Sequence, residues 1–252
     1  MNRHITITII LTLAIFSGVR YAYASAPTAG LVGYWNFDEG SGAVANDTSD
    51  NNNNGTINGA TWVAGKVGNG ALSFDGVDDN INLGNMTTFD GSAYATWSFW
   101  TKPNALVSGQ VLFSKHSGFS SAQNIWRIAN TSDGGGDEIY FYIGDGNNGK
   151  RTNINALTIG QWVHVVGVYD GTQTTVANRI NIYVNGSLVT NVATAGTIPT
   201  SIPSATVNTR IGSRSNGDGG TGAVNFYNGS LDDVRIYNRA LGATEVQKLY
   251  RA

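Results

Sequence analysis

Residues 47–55 (DTSDNNNNG) concentrate oxygen-bearing side chains in one short polar run. Calcium in proteins takes about six to eight oxygen ligands from carboxylates, amides and backbone carbonyls. The run therefore predicts a calcium site, with Asp47, Asn52 and Asn54 as its candidate ligands. An ordinary turn is the alternative, because asparagine tolerates left-handed backbone angles and its side chain bonds to the neighbouring backbone.

Residues 115–127 (KHSGFSSAQNIWR) mix aromatic, basic and amide side chains. Such mixtures bind sugars, because C–H surfaces stack on aromatic rings while hydroxyl groups need polar partners. We therefore take His116, Trp126 and Arg127 as candidate ligand-binding residues, together with Arg151 further along the chain. Trp126 also suits a core position, and the sequence leaves both alternatives open.

Two apolar stretches in the middle of the chain supply the frame that must hold these side chains. They are residues 161–170 (QWVHVVGVYD) and 179–189 (RINIYVNGSLV). Ile180, Ile182 and Val184 recur with the period of two that gives a strand one apolar face. The Asn-Gly pair at 185–186 predicts a type I′ hairpin turn, since both residue types adopt positive φ angles. At least three antiparallel strands follow from this pattern.

The rest of the chain alternates short apolar runs with turn residues. Residues 242–250 (GATEVQKLY) are helical in pattern, with Val246, Leu249 and Tyr250 on one side and Glu245 in the first turn. Many short strands with one terminal helix predict an all-β, two-sheet antiparallel sandwich. The further predicted strands are 31–38, 56–62, 71–74, 80–83, 95–101, 111–114, 124–129, 138–144, 210–212 and 229–237.

The first 24 residues have the layout of a secretory signal peptide. Arg3 and His4 precede an apolar run at 5–16, and small residues end at Ala24, where we expect cleavage. The run is short for a membrane span, which needs about 20 apolar residues, although an uncleaved anchor is the alternative. We therefore expect an extracellular protein, not membrane-bound after cleavage, with one domain at residues 25–252.

Composition excludes several classes of partner. The sequence has 15 basic and 17 acidic residues, and loss of Arg3 and Arg20 leaves 13 basic residues. This mildly acidic balance, without a basic block, argues against nucleic acid. There is no cysteine, so the exported chain depends on its core and on any bound metal. The composition argues against zinc, because the mature chain has no cysteine and only two histidines, His116 and His164.

Four sequence blocks stand in the order and spacing of laminin G-like domains of the concanavalin A-like lectin/glucanase superfamily, which this chain resembles over residues 31–250. They are LVGYWNFDEGSG with NDTSDNNNNGTINGA, GNGALSFDGVDDNINLG, QWVHVVGVYDG with INIYVNG, and FYNGSLDDVRIYNRALGATEVQKLY. The last block is the most specific. The resemblance implies a jelly-roll sandwich that binds rather than cleaves, often a carbohydrate and often with calcium.

The resemblance also bears on the metal and on catalysis. Similar domains bind calcium through the polar loop and an acid of the last strand, here Asp232 or Asp233, and we choose Asp232 because strand neighbours face opposite sides. Glucanases that share the fold carry two glutamates close together on one strand. The three glutamates of this chain, Glu39, Glu138 and Glu245, are far apart in sequence, so we expect no glucanase site and no enzyme.

Jelly-roll polysaccharide lyases use a histidine and a tyrosine with a neutralising arginine. Matching residue types here are His164 with Tyr169, or His116 with Arg127 and Tyr142. A packed structural histidine is the simpler interpretation of His164, which lies between apolar strand residues.

The sequence therefore predicts a secreted, lectin-like module that binds a poly- or oligosaccharide without catalysis and is stabilised by calcium. The alternatives are an adhesion module that binds a cell-surface or matrix protein, and a polysaccharide lyase.

Overall fold

The computed structural model describes residues 25–117, 124–131, 136–144, 148–152, 155–216 and 222–252. The signal peptide expected at residues 1–24 lies outside this set. The elements in chain order are β1 (Leu31–Trp35), β2 (Val44–Ala45), β3 (Gly55–Asn58), β4 (Thr61–Ala64), β5 (Gly70–Asp75), β6 (Asn80–Asn82), β7 (Tyr94–Pro103), β8 (Val111–His116), β9 (Asn124–Thr131), β10 (Glu138–Ile143), β11 (Gly149–Thr152), β12 (Val163–Asp170), β13 (Ile180–Val184), β14 (Ser187–Leu188), β15 (Val192–Ala195), β16 (Thr209–Ile211), β17 (Arg214–Asn216), β18 (Gly222–Val224), β19 (Asn228–Tyr237) and the helix α1 (Ala243–Arg251).

The strands form two large sheets. The first sheet has eight strands in the order β14-β13-β12-β7-β19-β5-β4, with β1 also paired to β19. The second sheet has nine strands in the order β15-β11-β10-β9-β8-β16-β6-β3-β2, and β17 pairs with β18 in a separate hairpin. Antiparallel pairing runs through both large sheets. The predicted all-β, two-sheet jelly-roll sandwich with a short C-terminal helix is confirmed.

The hairpin predicted from the Asn-Gly pair joins β13 to β14. Asn185 has φ 49° and Gly186 has φ 76°, which are the two positive angles that a type I′ turn requires. The turn sets Val184 opposite Ser187 and Tyr183 opposite Leu188. The prediction of this turn is confirmed.

The core lies between the sheets and is rich in aromatic rings. Trp97 of β7 and Trp126 of β9 meet across it, with ring centroids 5.1 Å apart. Phe113 of β8 contacts Trp126 edge-on at 4.9 Å, and Trp35 of β1 contacts Phe113 at 6.2 Å. Aromatic side chains bury large apolar areas and prefer such tilted or edge-on arrangements, so these rings fix how the two sheets face each other.

The strand predicted at residues 56–62 is wrong in one respect. The structure divides it into β3, in the second sheet, and β4, in the first. Gly59 lies between them with φ 78°, a backbone angle that side-chain-bearing residues rarely adopt. The chain therefore crosses from one sheet to the other at a glycine inside the segment predicted as one strand.

Helix α1 covers the outer face of the first sheet. Val246 and Leu249 are its buried residues, as the sequence predicts, whereas Tyr250 is exposed at its margin. The helix starts at Gly242, whose N–H donates to the Glu245 carboxylate at 3.0 Å. Together the helix and the strands form a second apolar cluster of Val166, Val168, Tyr183, Tyr237, Leu241, Val246 and Leu249.

Candidate functional site

The outer face of the second sheet carries a row of arginine and tyrosine side chains on β9, β10 and β11. Arg127 lies opposite Tyr142, and Arg151 lies opposite Tyr140, in the registers of β9 with β10 and of β10 with β11. Residues directly opposite in an antiparallel pair share a face, and strand neighbours alternate between faces. The two cross-strand pairs therefore stand side by side on the face turned away from the core.

These residues line a cavity of about 390 Å³. Ala129, Ala193 and Ala195 also line it, and their short side chains leave the space that longer side chains on β9 and β15 would fill. Ligand cavities in proteins are commonly about 300–1,000 Å³. The cavity therefore has room for a small number of sugar rings.

The aromatic and basic groups of the cavity are stacked on one another. The Tyr140 and Tyr142 rings lie 3.6 Å apart between centroids, at 24° to each other. The Arg127 guanidinium carbon lies 4.0 Å from the Tyr142 ring centroid. A guanidinium over an aromatic face is held by cation–π attraction, so Tyr142 orients the Arg127 side chain.

Arg151 is oriented from the other side of the cavity by a carboxylate. Its Nη1 lies 3.5 Å from Glu138 Oε2, and both side chains are partly exposed. Such a half-exposed ion pair contributes little to stability, because water screens the attraction. Its main effect is to hold the Arg151 side chain beside the tyrosines.

His116 lies at the end of β8, next to this face, and is 3% exposed. Burial lowers the pKa of His116 to about 3, and the positive charges of Arg127 and Arg214 act in the same direction. The imidazole is therefore neutral at neutral pH. The structure brings His116 near Arg127, but it presents almost none of the imidazole to solvent.

Trp126 requires a correction. Its side chain is 1% exposed and packs against Trp97 and Phe113 in the core. Trp126 precedes Arg127, which faces the cavity, so the alternation of β9 turns the indole inward. The expectation of an exposed ring that stacks on sugar is replaced by the core alternative.

The candidate calcium loop folds onto its own backbone. Asp47 Oδ1 accepts the N–H groups of Tyr34 and Ser49 at 2.9 Å each, and Asp47 Oδ2 accepts the Asn53 N–H at 2.9 Å. Asn54 Oδ1 accepts the Asp47 N–H at 2.8 Å. These oxygens face hydrogen-bond donors, which is the surrounding expected of a turn and unfavourable for a cation.

Asp232 lies in a different setting from Asp47. It is 0% exposed, and its Oδ2 accepts the N–H groups of Lys66 and Val67 at 2.7 and 2.9 Å. Burial raises the pKa of Asp232 to about 6, and the charge of Asp233 adds to the effect. Asp47 and Asp232 thus anchor two different backbone segments, and no described hydrogen-bond partner is common to both.

The sequence predicts that Asp232 and Asp233 face opposite sides of a regular strand, but the strand is irregular here. Asp233 has φ 53°, and the register of β19 with β7 shifts between Asp232 and Arg235. A β-bulge of this kind re-aims side chains, so both carboxylates are buried. Asp233 pairs with Arg235 on the same strand.

Another acidic group, Asp75, Asp78 and Asp79, lies at the end of β5 and in the turn after it. Its oxygens lie close together, but exposed acidic clusters are common without a metal. Asp47 and Asp232 each accept backbone N–H groups of their own, and calcium binding stays a prediction.

The two lyase combinations fare differently. Tyr169 is buried in the core, and its hydroxyl donates to the Pro199 carbonyl at 2.8 Å. His164 is 0% exposed on β12, where its Nε2 lies 3.0 Å from Ser98 Oγ. These two residues do not form a site. In contrast, Arg127 and Tyr142 are in contact, with His116 close to Arg127.

The sequence interpretation missed Tyr140 altogether and named Tyr142 only for the lyase alternative. The signal was present in EIYFYI, because Glu138, Tyr140 and Tyr142 recur with a period of two. When one side of a strand is apolar, it packs on the core, and the opposite side lies on the outer face of the sheet. Aromatic residues on that outer side make it a candidate binding surface.

Comparisons with known proteins identify the family and the fold of the chain. The laminin G family model described as the concanavalin A-like lectin/glucanases superfamily matches residues 75–247. A search of curated proteins found no significant match.

Three solved structures illustrate the shared fold. Domain 4 of AbnA, a GH43 extracellular arabinanase from Geobacillus stearothermophilus solved with arabinotriose, has a TM-score of 0.63 at 22% identity, and the match covers 87% of this chain and 98% of that domain. Trypanosoma rangeli sialidase in complex with sialic acid has a TM-score of 0.62 at 19% identity, with 90% of this chain and 34% of the sialidase covered. The botulinum neurotoxin type G receptor-binding domain has a TM-score of 0.54 at 18% identity, with 90% and 51% covered.

Within the ranges that the structure describes, no helix is both long enough and apolar enough to cross a membrane.

Proposed function

Because the chain belongs to the concanavalin A-like lectin/glucanases superfamily, we propose that it binds a poly- or oligosaccharide and does not cleave it. The binding site is the cavity on the outer face of the second sheet. The observation that carries the proposal is the convergence of Arg127, Tyr142 and Arg151 around this cavity.

The chemistry of the lining suits a sugar. The faces of the Tyr142 ring are covered by Tyr140 and by the Arg127 guanidinium, so the tyrosines contribute ring edges to the cavity. A tyrosine hydroxyl group both donates and accepts hydrogen bonds. Guanidinium groups donate in a fixed plane to ring and hydroxyl oxygens. Arg127 and Arg151 flank the stacked pair of Tyr140 and Tyr142, so guanidinium groups and tyrosine ring edges lie side by side at the cavity.

The AbnA domain supports the proposal from outside this chain. That domain was solved with arabinotriose, and this chain spans nearly its whole length. The likeness is to one domain of a larger enzyme, a domain that was solved with a bound oligosaccharide.

Two features support binding without cleavage. A retaining glycoside hydrolase needs two carboxyl groups about 5–5.5 Å apart. Glu138 is the one glutamate on β10 beside the cavity, whereas Glu39 lies in a loop after β1 and Glu245 lies in α1. The described lining of the cavity contains no carboxylate at all.

A polysaccharide lyase is the second candidate, because Arg127 contacts Tyr142 and lies near His116. A lyase base must reach the proton that it removes. His116 is 3% exposed, which places the imidazole out of reach of a large substrate in this conformation.

The proposal includes export of the chain through the segment at residues 1–24, supported by its basic start and its apolar run. Calcium is part of the proposal only as a stabilising ion. A cell-surface or matrix protein is the alternative partner, and the glycan experiment separates it from a saccharide.

The test is a glycan array probed with the purified protein, with Tyr142→Ala and with Tyr94→Ala. Tyr94 is an exposed tyrosine on β7 of the first sheet and serves as the matched control. We expect wild type and Tyr94→Ala to bind the same glycans, and Tyr142→Ala to bind at least about tenfold more weakly at an unchanged melting temperature.

Absence of glycan binding by wild type, or full binding by Tyr142→Ala, would overturn the proposal. Ultraviolet absorbance from unsaturated products during incubation with the bound glycan would replace it with the lyase. Binding to purified matrix proteins alone would favour the adhesion module.

A further inference from the structure

We infer that the cavity selects acidic saccharides, in which a carboxylate or a sulfate ester contacts Arg127; this inference rests on the proposed function.

The charged side chains in the described lining of the cavity are basic, and Glu138 lies beside the lining in its pair with Arg151. Among the described residues that line it, the charged ones are Arg127 and Arg151, and none is acidic. Arg214, at the start of β17, lies close enough for its charge to interact with that of Arg127, and burial with this repulsion lowers the pKa of Arg214. Arg127 and Arg151 line the cavity, and Arg214 adds a third positive charge near Arg127, in a chain whose formal net charge is −2.

Arg127 differs from several other basic side chains of this protein in the group that it contacts. Lys115 contacts Asp90 at 2.8 Å, Arg235 pairs with Asp233, and Arg239 pairs with Glu245 at 2.6 Å. No ion pair among the described residues includes Arg127, whose guanidinium rests on the Tyr142 ring instead. The charge of Arg127 is thus oriented by an aromatic ring but not neutralised by a carboxylate.

The geometry of this stack favours an anion with oxygen atoms in a plane. A guanidinium group carries its N–H groups around its edge, where a carboxylate or sulfate binds them in pairs. The Nε atom of Arg127 is buried without a hydrogen-bond partner in the protein. The side chain is already held in place, so little conformational entropy is lost when an anion binds.

Arg214 and Arg151 strengthen the preference for an anion, although Arg127 makes the main contact with it. Arg214 donates through Nε to Asn225 Oδ1 at 2.8 Å and through Nη1 to the Ser215 carbonyl at 3.1 Å. Arg151 lies beside Glu138. Both guanidinium groups therefore act on a bound anion through the local potential, which is positive on the side of Arg127.

The experiment compares matched ligands by calorimetry on the purified protein. Oligosaccharides of galacturonate, glucuronate, mannuronate and guluronate are each titrated beside the same oligosaccharide after carboxyl reduction, and a sulfated galactose oligosaccharide forms a further arm. We expect at least one acidic member to bind at least about tenfold more tightly than its neutral counterpart. The affinity for that member should fall as sodium chloride is raised, because salt screens the charge.

The variants are Arg127→Gln and Arg251→Gln. Arg251 is an exposed arginine at the end of α1, so its substitution removes the same charge far from the cavity in the fold. We expect Arg127→Gln to bind the acidic and reduced forms with similar affinity, and Arg251→Gln to keep the wild-type preference. Arg127→Lys should keep the salt dependence but bind the acidic form more weakly than wild type, because a lysine lacks the planar fork.

The outcomes separate this inference from the proposed function. Equal or tighter binding of the reduced forms by wild type overturns the acidic preference and leaves glycan binding intact. No binding of any member, together with an empty glycan array, overturns both. Tighter binding of the sulfated oligosaccharide than of every uronate identifies the sulfate ester as the preferred anion. If a variant folds poorly, the comparison of acidic and reduced ligands on wild type still tests the acidic preference.

Discussion

The outer faces of the two sheets follow the same strand alternation but lie in different environments. On the first sheet, the face of β12, β13 and β19 is apolar at its centre, and α1 covers it with Val246 and Leu249. On the second sheet, the face of β9, β10 and β11 carries arginine and tyrosine and borders a cavity. One outer face of the sandwich thus contributes to stability, and the other is available to a ligand.

Polar residues alone do not separate these faces. The first sheet also carries His164, bonded to Ser98 at 3.0 Å, and the pair of Arg235 with Asp233, all of them buried. A polar group under a covering element holds the fold together, whereas the same kind of group beside an open cavity meets solutes. The comparison teaches that burial, more than residue type, distinguishes the two roles here.

The largest effect should come from Trp126→Ala on the core side of β9. Removing a fully buried tryptophan leaves a cavity between Trp97 and Phe113, and we expect a loss of about 3–5 kcal/mol of unfolding free energy in chemical denaturation. Arg127→Gln, one residue further on, should lose less than about 1 kcal/mol. Similar stability of both variants would mean that the two faces of β9 are not distinct.

A smaller loss should follow from Leu249→Ala on the covering helix. Leu249 is fully buried against the first sheet, so we expect a decrease of roughly 2–3 kcal/mol in unfolding free energy. Leu188→Ala is the control, because this leucine is about half exposed on β14 and should change stability by less than about 1 kcal/mol. A melting temperature unaffected by Leu249→Ala would show that α1 does not cover the sheet in solution.

The buried histidine on the covered face makes stability depend on pH. Burial, with a contribution from the charge of Arg235, lowers the pKa of His164 from 6.5 to about 3. Between these values the histidine is protonated in the unfolded chain and neutral in the folded chain. The contribution of His164 to the free energy of unfolding is therefore fully present above about pH 6.5 and is lost as the pH falls towards 3.

Wild type should lose unfolding free energy when the pH is lowered from 7 to 5, and we expect His164→Gln to lose roughly 2 kcal/mol less. Chemical denaturation at each pH measures this difference. The comparison cancels the opposite contribution of Asp232, whose raised pKa stabilises the folded chain at low pH. An identical pH dependence of the two proteins would contradict the burial of His164.

The smallest expected effect concerns the polar loop and calcium. Asp47→Ala removes the acceptor of three backbone N–H groups, so we expect a loss of roughly 1 kcal/mol in the presence of EDTA as well as in its absence. A variant equal in stability to wild type in EDTA, but less stable than wild type in calcium, would show that Asp47 acts through a bound metal.

Much of the architecture was predictable because local patterns determine it. The Asn-Gly turn, the alternation in β13 and the spacing of Val246 and Leu249 each specify a structure within a few residues. Short segments of this kind need no knowledge of distant contacts.

The site was less predictable because the period-two pattern fails where adjacent residues of a strand are both apolar. Ile125 and Trp126 are adjacent in β9 and both are buried, so a period of two does not assign the indole to either face. At Asp232 the bulge of β19 breaks the alternation itself, and bulges leave no simple mark in a sequence. Tyr140 and Tyr142, in contrast, were available to the same period-two argument that identified the strands.

The central claim is that a saccharide binds the open outer face of the second sheet. Hydrogen exchange of the protein with and without its best array ligand tests this claim directly. We predict slower exchange of backbone amides in β9, β10 and β11, and unchanged exchange in β13, β14 and α1. Slower exchange confined to the depression between the β13–β14 hairpin and α1, with β9 to β11 unchanged, would contradict it.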